Sequence, residues 1–213
     1  MAKGERKLYD PTKNIRKELK EILNYTTPVV SDVMNRQGAM YGVNALFQGM
    51  KMVGPAFTLR TLHGDWLWVC KACDAANRGD VLVIDMGGTS SVAVWGDLSA
   101  WGFINRGGVG VVVDGGVRDL EELRKIGLPT YYRAIVPNAG NPHEDGGATG
   151  IPIQCGGQPV RPGDIIFGDD SGVVVVPKER YREILKKCRA QEALEAELLK
   201  KIRAGAPTLS YNR

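Results

Sequence analysis

The sequence predicts an α/β protein built around a parallel pair of strands, and three observations carry that reading. Gly79-Asp80 leads into VLVIDM, and Gly107-Gly108 leads into a run at 109–114. Both are short, continuous, β-branched-rich stretches bounded by turn residues, the pattern of strands buried on both faces. Between them, 98–105 reads as a short helix with Asp97 as its N-cap and the glycine pair past its end. After the second strand, a Gly115-Gly116 turn delivers Arg118-Asp119 to the start of another helix, DLEELRKIG, closed by Gly127 and Pro129. Strand, helix, strand and helix at this spacing form a βαβ unit, and such sheets bind ligands in the crevice beyond the carboxyl ends of their strands. Asp97, Arg118, Asp119 and Glu122 all fall on that side.

From the N-terminus, a first helix is expected over about 13–23 and a second over 28–36, capped by Thr27 and stopped by Gly38, with Ser31-Asp32 on its exposed face. The stretch 42–50 is irregular. MVGPAFTLRT reads as an edge-like strand with a break at Pro55, because proline cannot donate to a ladder. A helix over 63–73 follows. Beyond the central unit, 130–136 is a strand and 137–157 a long loop containing NPHEDGGATG. Its His143-Glu144 pair reads as solvated, since no further metal ligands accompany it. GDIIFGDDSGVVVVP is a hairpin turning at Asp169-Asp170-Ser171-Gly172. A long helix over 178–204, stopped by Gly205, ends the chain.

The 213 residues, 43% apolar and 24% charged, suit one domain over 1–213 with a sizeable core. No apolar run approaches a membrane span and the N-terminus lacks a secretory segment, so a cytoplasmic protein without a membrane partner is expected. The net charge of +4 does not argue for nucleic acid. Much of the positive charge alternates with glutamate in the terminal helices, the pattern of a solvated face. Cys70 and Cys73 have redox or zinc spacing but no second ligand pair, and WLWVCKACDAA reads as an amphipathic helix packing its thiol inward. No Lys-Ser/Thr follows Gly87-Gly88 at P-loop spacing, and GGVGVVVDGG lacks the dinucleotide fingerprint, so neither ATP nor NAD is expected.

The spacing of Asp97, Arg118-Asp119 and Glu122, together with SDVMNRQGAM, MVGPAFTLRT, GDVLVID and GDIIFGDDSGVVVVP, resembles one particular family. It contains the class II pyruvate aldolases, which act on 4-hydroxy-4-methyl-2-oxoglutarate and 4-carboxy-4-hydroxy-2-oxoadipate, and the regulator of ribonuclease activity A. The resemblance implies a three-layer β/β/α swivelling-domain fold with flanking N- and C-terminal helices, assembled as a homotrimer or hexamer. It implies a lyase that cleaves 4-hydroxy-2-oxo diacids to pyruvate and decarboxylates oxaloacetate.

The residues fit that chemistry. Asp119 is a hard oxygen ligand suited to Mg2+ or Mn2+, which take one or two carboxylates and fill their remaining positions with water and substrate. Glu122, one turn on, and Asp97 would act through metal-bound waters. Arg118 would balance the charge of a pyruvate enolate. Gly96, Leu98 and Ser99, at a helix start, would bind the substrate carboxylate with Arg118. The resemblance further implies a glutamate from a neighbouring subunit, with Glu195 the best-aligned candidate and Glu192 the second. Where aldolase members tend to carry Asn and His, this chain has Trp66 and Cys70, so the substrate is open at that end. The rival reading is a protein that binds and inhibits ribonuclease E without catalysis; the acid at 97 favours the enzyme.

Overall fold

In the computed structural model, which describes residues 7–62, 64–142 and 146–208, two 3-10 helices, Pro11–Lys13 and Lys17–Asn24, precede α1 (Thr27–Val33). There follow β1 (Asn44–Ala45), β2 (Met52–Thr61), α2 (Trp66–Ala75), β3 (Val81–Asp85), β4 (Ala93–Trp95), α3 (Asp97–Asn105), β5 (Gly110–Val117) and α4 (Leu120–Ile126). The remainder is β6 (Thr130–Ile135), β7 (Gly147–Thr149), β8 (Ile153–Cys155), β9 (Gln158–Val160), β10 (Ile165–Asp169), β11 (Gly172–Val176) and α5 (Tyr181–Arg203).

The main sheet runs β1-β6-β5-β3-β2-β10-β11, with β4 added to β5 and β7 to β2. β2, β3, β5 and β6 are parallel to one another, whereas β10 is antiparallel to both β2 and β11. Every residue of β3 and β5 is buried, which is why each begins with a continuous apolar run, broken only at Asp85 and Asp114. Helices α2, α3 and α4 pack side by side along this parallel part, while α1 contacts β10, β11 and α5. The α/β class and the three-layer β/β/α arrangement with flanking helices hold.

Several local expectations are corrected. β2 is an interior strand, not an edge. Residues up to Pro55 pair with β10, and from Ala56 onward the strand pairs with β3. Pro55 sits at the handover, where its missing N–H is tolerated. Gly115 and Gly116 are not a turn but lie buried within β5. A Cβ on Gly115 would meet Met86 Sδ at 2.2 Å, and one on Gly116 would meet the Val92 carbonyl at 2.3 Å. These glycines admit close neighbours, among them the approach to β4, which the sequence reading did not anticipate. Residues 17–24 are 3-10 and not α-helical. α1 begins at Thr27 with Thr26 as its cap and ends at Val33, because Asn35 and Arg36 take left-handed conformations. The long loop carries β7 and β8, and β8–β9 forms a small hairpin against β3 and β2. His143 and Glu144 lie outside the described residues.

Candidate active site

A cavity of about 390 Å³ opens between α2 and the beginnings of α3 and α4. One wall is a stripe of α2, Trp66, Cys70, Cys73 and Asp74, spaced so that successive turns of the helix face the same way. Its floor is β4, where Trp95 is buried and packs edge-to-face on Phe103 with centroids 6.2 Å apart. Gly96, Asp97, Leu98 and Ser99 at the start of α3, with Arg118 and Asp119, form the facing side. Six of the residues expected from the sequence therefore meet in one cavity. They lie beyond the carboxyl end of β5, the place the topology favours for ligands.

Asp97 is not the N-cap of α3. That position is Gly96, in an extended conformation, and Asp97 occupies the first helical turn. Its Oδ1 accepts the Leu98 N–H at 2.7 Å. Of the two backbone donors expected to receive an anion, the Leu98 N–H is thus engaged locally, and Ser99 carries the remaining one toward the helix's positive end.

The Arg118 N–H donates to the Trp95 carbonyl at 3.0 Å, tying the end of β5 to the cavity floor. Asp119 then takes a left-handed conformation, with φ 56° and ψ 39°. A non-glycine residue adopts that conformation at a cost, and such strain gathers at functional sites. Asp119 stands at the N-cap position of α4 yet makes no capping hydrogen bond. Its carboxylate faces the cavity, with Oδ2 lying 3.4 Å from Arg118 Nε. Gly96 makes room for it, since a Cβ there would fall 2.4 Å from Asp119 Oδ2.

The other expected residues lie elsewhere. Glu122 is exposed, pairs with Lys125 at 2.8 Å and does not line the cavity. Glu195 accepts from Gln191 on α5 at 2.8 Å and, with Glu192, lines a shallow groove along that helix. Sequence reasoning missed Val94, Trp95, Cys73 and Asp74 as cavity residues. The 66, 70, 73, 74 spacing was visible, but it reads equally well as the core face of a helix. All four cysteines are unbridged. Burial pushes the Cys73 thiol up to about 12, and burial followed by the Asp74 charge raises that of Cys70. Both thiols are therefore protonated at neutral pH.

Among the described residues no group of three or more His, Cys, Asp or Glu side chains forms a metal cage. Of the three carboxylates that line the cavity, Asp74, Asp97 and Asp119, it is Asp119 that stands beside Arg118 in a space cleared by a glycine and partly open to solvent. That donor set fits a Mg2+-type ion, which keeps most of its waters, and does not fit a closed zinc site.

The model of the family described as "RraA-like: Aldolase/RraA" matches residues 27–175. The chain is 31% identical over 153 residues to the 4-hydroxy-4-methyl-2-oxoglutarate aldolase of Thermus thermophilus, covering 71% of this chain and 92% of that one. It is 30% identical over 196 residues to Protein DlpA of Legionella pneumophila, covering 88% of this chain but 32% of DlpA, so it spans about a third of that protein's length. Among solved structures, Streptomyces coelicolor RraAS2, described as an unusual member of the RNase ES inhibitor RraA protein family, matches with a TM-score of 0.76 at 27% identity. That match covers 89% of this chain and 99% of RraAS2. The segment matched by the family model runs from the first residue of α1 into β11 and encloses every residue lining the cavity, and the chain belongs to this RraA-like, Aldolase/RraA, family.

Proposed function

We propose that this protein is a divalent-metal-dependent lyase. It breaks the C3–C4 bond of 4-hydroxy-2-oxo acids of the 4-hydroxy-4-methyl-2-oxoglutarate type, releasing pyruvate, and it decarboxylates oxaloacetate at the same site. The observation that carries this reading is the Arg118–Asp119 pair, 3.4 Å apart at the cavity wall, with Asp119 freed from capping and given room by Gly96.

In the cleavage, the C4 hydroxyl loses its proton and becomes a carbonyl. The electron pair of the C3–C4 bond moves to C3 of the departing pyruvate enolate, and a proton is then added to C3. In oxaloacetate the same pair is left behind by departing CO2. Asp119 would hold the Mg2+ or Mn2+, which when bound supplies Lewis-acid polarisation of the keto oxygen. Arg118 places a permanent positive charge beside the oxygen that becomes negative, worth most in a site partly screened from water. The Ser99 N–H, at the positive end of α3, receives the C1 carboxylate. Asp97, half-buried at the same helix start, would hold a water that returns a proton to C3. Trp66, Val94, Trp95 and Leu98 give the cavity apolar walls beside this site.

Glu122 and Glu195 contribute only at a distance under this reading: Glu122 through water, and Glu195 from a neighbouring copy in a homotrimer or hexamer. The test is pyruvate release from oxaloacetate with added Mg2+ or Mn2+, for the parent protein, Arg118→Ala and Asp119→Ala. The parent should exceed both variants by at least a hundredfold. Equal rates would remove the assignment. Tight binding to ribonuclease E with no pyruvate release would favour the regulatory reading instead.

A further inference from the structure

The cavity has a positive charge at one end only. Among its described lining residues Arg118 is the sole permanent cation, and it lies beside Asp119. Opposite, the α2 wall presents Trp66, two protonated thiols and Asp74. Asp74 pairs with the Arg106 guanidinium at 3.2 Å, and Arg106 does not itself line the cavity. Lys71, also on α2, lies 4.3 Å over the Trp68 ring and is absent from the lining. Two large apolar side chains stand exposed on the facing walls, Trp66 at 39% and Leu98 at 78%. Exposed apolar surface within a concave site marks a place where ligand is meant to cover it.

A 4-hydroxy-2-oxo diacid carries a second carboxylate at the end remote from its keto group. With the first carboxylate and keto oxygen at Arg118, Asp119 and Ser99, the second would point to the α2 wall. There it would stand against an indole and a thiol and face the Asp74 carboxylate, whose side chain is 73% exposed. A carboxylate there would find no cation among the described lining residues and a like charge at Asp74, and a like charge disfavours the ionised form.

We propose that the α2 side of the cavity accepts an uncharged apolar or aromatic substituent, so that the preferred substrates are 4-hydroxy-2-oxo monoacids. The products are pyruvate and a neutral aldehyde or ketone. This rests on the C3–C4 bond cleavage proposed above and replaces the diacid substrate with a monoacid. The reaction balances as before: R–CH(OH)–CH2–CO–COO− becomes R–CHO and CH3–CO–COO−, with the hydroxyl proton released and one proton taken up at C3. The R group stacks on Trp66 and packs against Leu98, and offset aromatic pairs of this kind are favoured beyond the area they bury.

The experiment compares kcat/KM for pyruvate release from 4-hydroxy-2-oxo-4-phenylbutanoate and from 4-hydroxy-4-methyl-2-oxoglutarate, with oxaloacetate run alongside. Binding of the uncleavable analogues 2-oxo-4-phenylbutanoate and 2-oxoglutarate is followed by tryptophan fluorescence. The phenyl compounds should be favoured at least tenfold in both measurements. Trp66→Arg, which adds a cation at an exposed first-turn position, should shift the ratio toward the diacid by at least tenfold. Asp74→Asn, which removes the opposing charge and releases Arg106, should move it the same way by a smaller factor. Because each result is a ratio within one protein, partial loss of folded material does not alter it. A parent protein that prefers the diacid, or ratios unmoved in both variants, overturns the proposal while leaving the lyase reading intact. Pyruvate release from none of the three compounds overturns both.

Discussion

Arg118 Nε lies 3.4 Å from Asp119 Oδ2, an ion pair between consecutive residues at the point where β5 gives way to α4. Neighbouring side chains in a strand point to opposite faces, so this contact depends on the left-handed turn at Asp119. The pair is partly exposed, with side-chain exposures of 42% and 36%, and pairs of that kind contribute little to stability. Its value lies in what the two charges can do together at the cavity.

Arg118→Ala and Asp119→Ala should therefore separate activity from stability. Each is expected to lower kcat for oxaloacetate decarboxylation by about 10²–10³, the scale for losing a group aimed at developing negative charge. The melting temperature of each should stay within about 2 °C of the parent, as measured by calorimetry. A large fall in melting temperature with unchanged activity would assign the pair a structural role.

Gly96→Ala tests the clearance. The backbone of Gly96 is extended, with φ −155°, so alanine meets no conformational penalty there. The added Cβ would nevertheless fall 2.4 Å from Asp119 Oδ2 and 3.4 Å from Arg118 Cγ. Asp119 must swing aside. A displacement of about 1 Å at a reacting group can cost on the order of 10²-fold, so kcat should fall by about ten- to a hundredfold with little change in thermal stability.

Asp169 serves the fold and not the reaction. Its buried carboxylate accepts from the Thr27 N–H at 2.8 Å, the Thr27 hydroxyl at 2.7 Å and the Ser171 N–H at 2.8 Å, tying the start of α1 to the β10–β11 turn. Asp169→Ala strands these donors, at a cost of about 2–4 kcal/mol. Denaturant unfolding should show that loss, while the residual folded protein keeps its KM.

Stability should decline in alkali. Burial raises the thiols of Cys73 and Cys188 from 9.0 to about 12 and about 11, and the Tyr181 phenol from 10.0 to about 12. Between pH 9 and 12 the folded chain keeps protons that the unfolded chain has released. Stability from these groups is thus complete below about pH 9 and is lost as pH rises toward 12. Melting temperatures measured across that range should fall, and Cys188→Ala should flatten the slope once its own offset is subtracted. A flat profile in the parent would contradict the burial of these groups.

The β3 and β5 strands were legible because burial on both faces leaves a continuous apolar run, 81–84 in one and 109–113 in the other, ahead of the buried Asp85 and Asp114. α4 and its end at Gly127, φ 83°, were legible because a left-handed C-cap favours glycine. β2 was misplaced at an edge because a local rule about Pro55 could not register a strand that changes partners midway. Gly115-Gly116 misled for a related reason. A glycine pair signals either a turn or a close approach, and only the position of Met86 and Val92 decides which.

The sequence by itself placed an acid at 97 and an Arg-Asp pair at 118–119 within one short stretch, since helix starts and strand ends follow from local pattern. The tertiary structure decided what faces that chemistry. Trp66, Cys70 and Asp74 stand across from it because α2 packs beside α3. A helical stripe carries the same spacing whether it meets a core or a cavity, and only the packing of distant segments distinguishes the two.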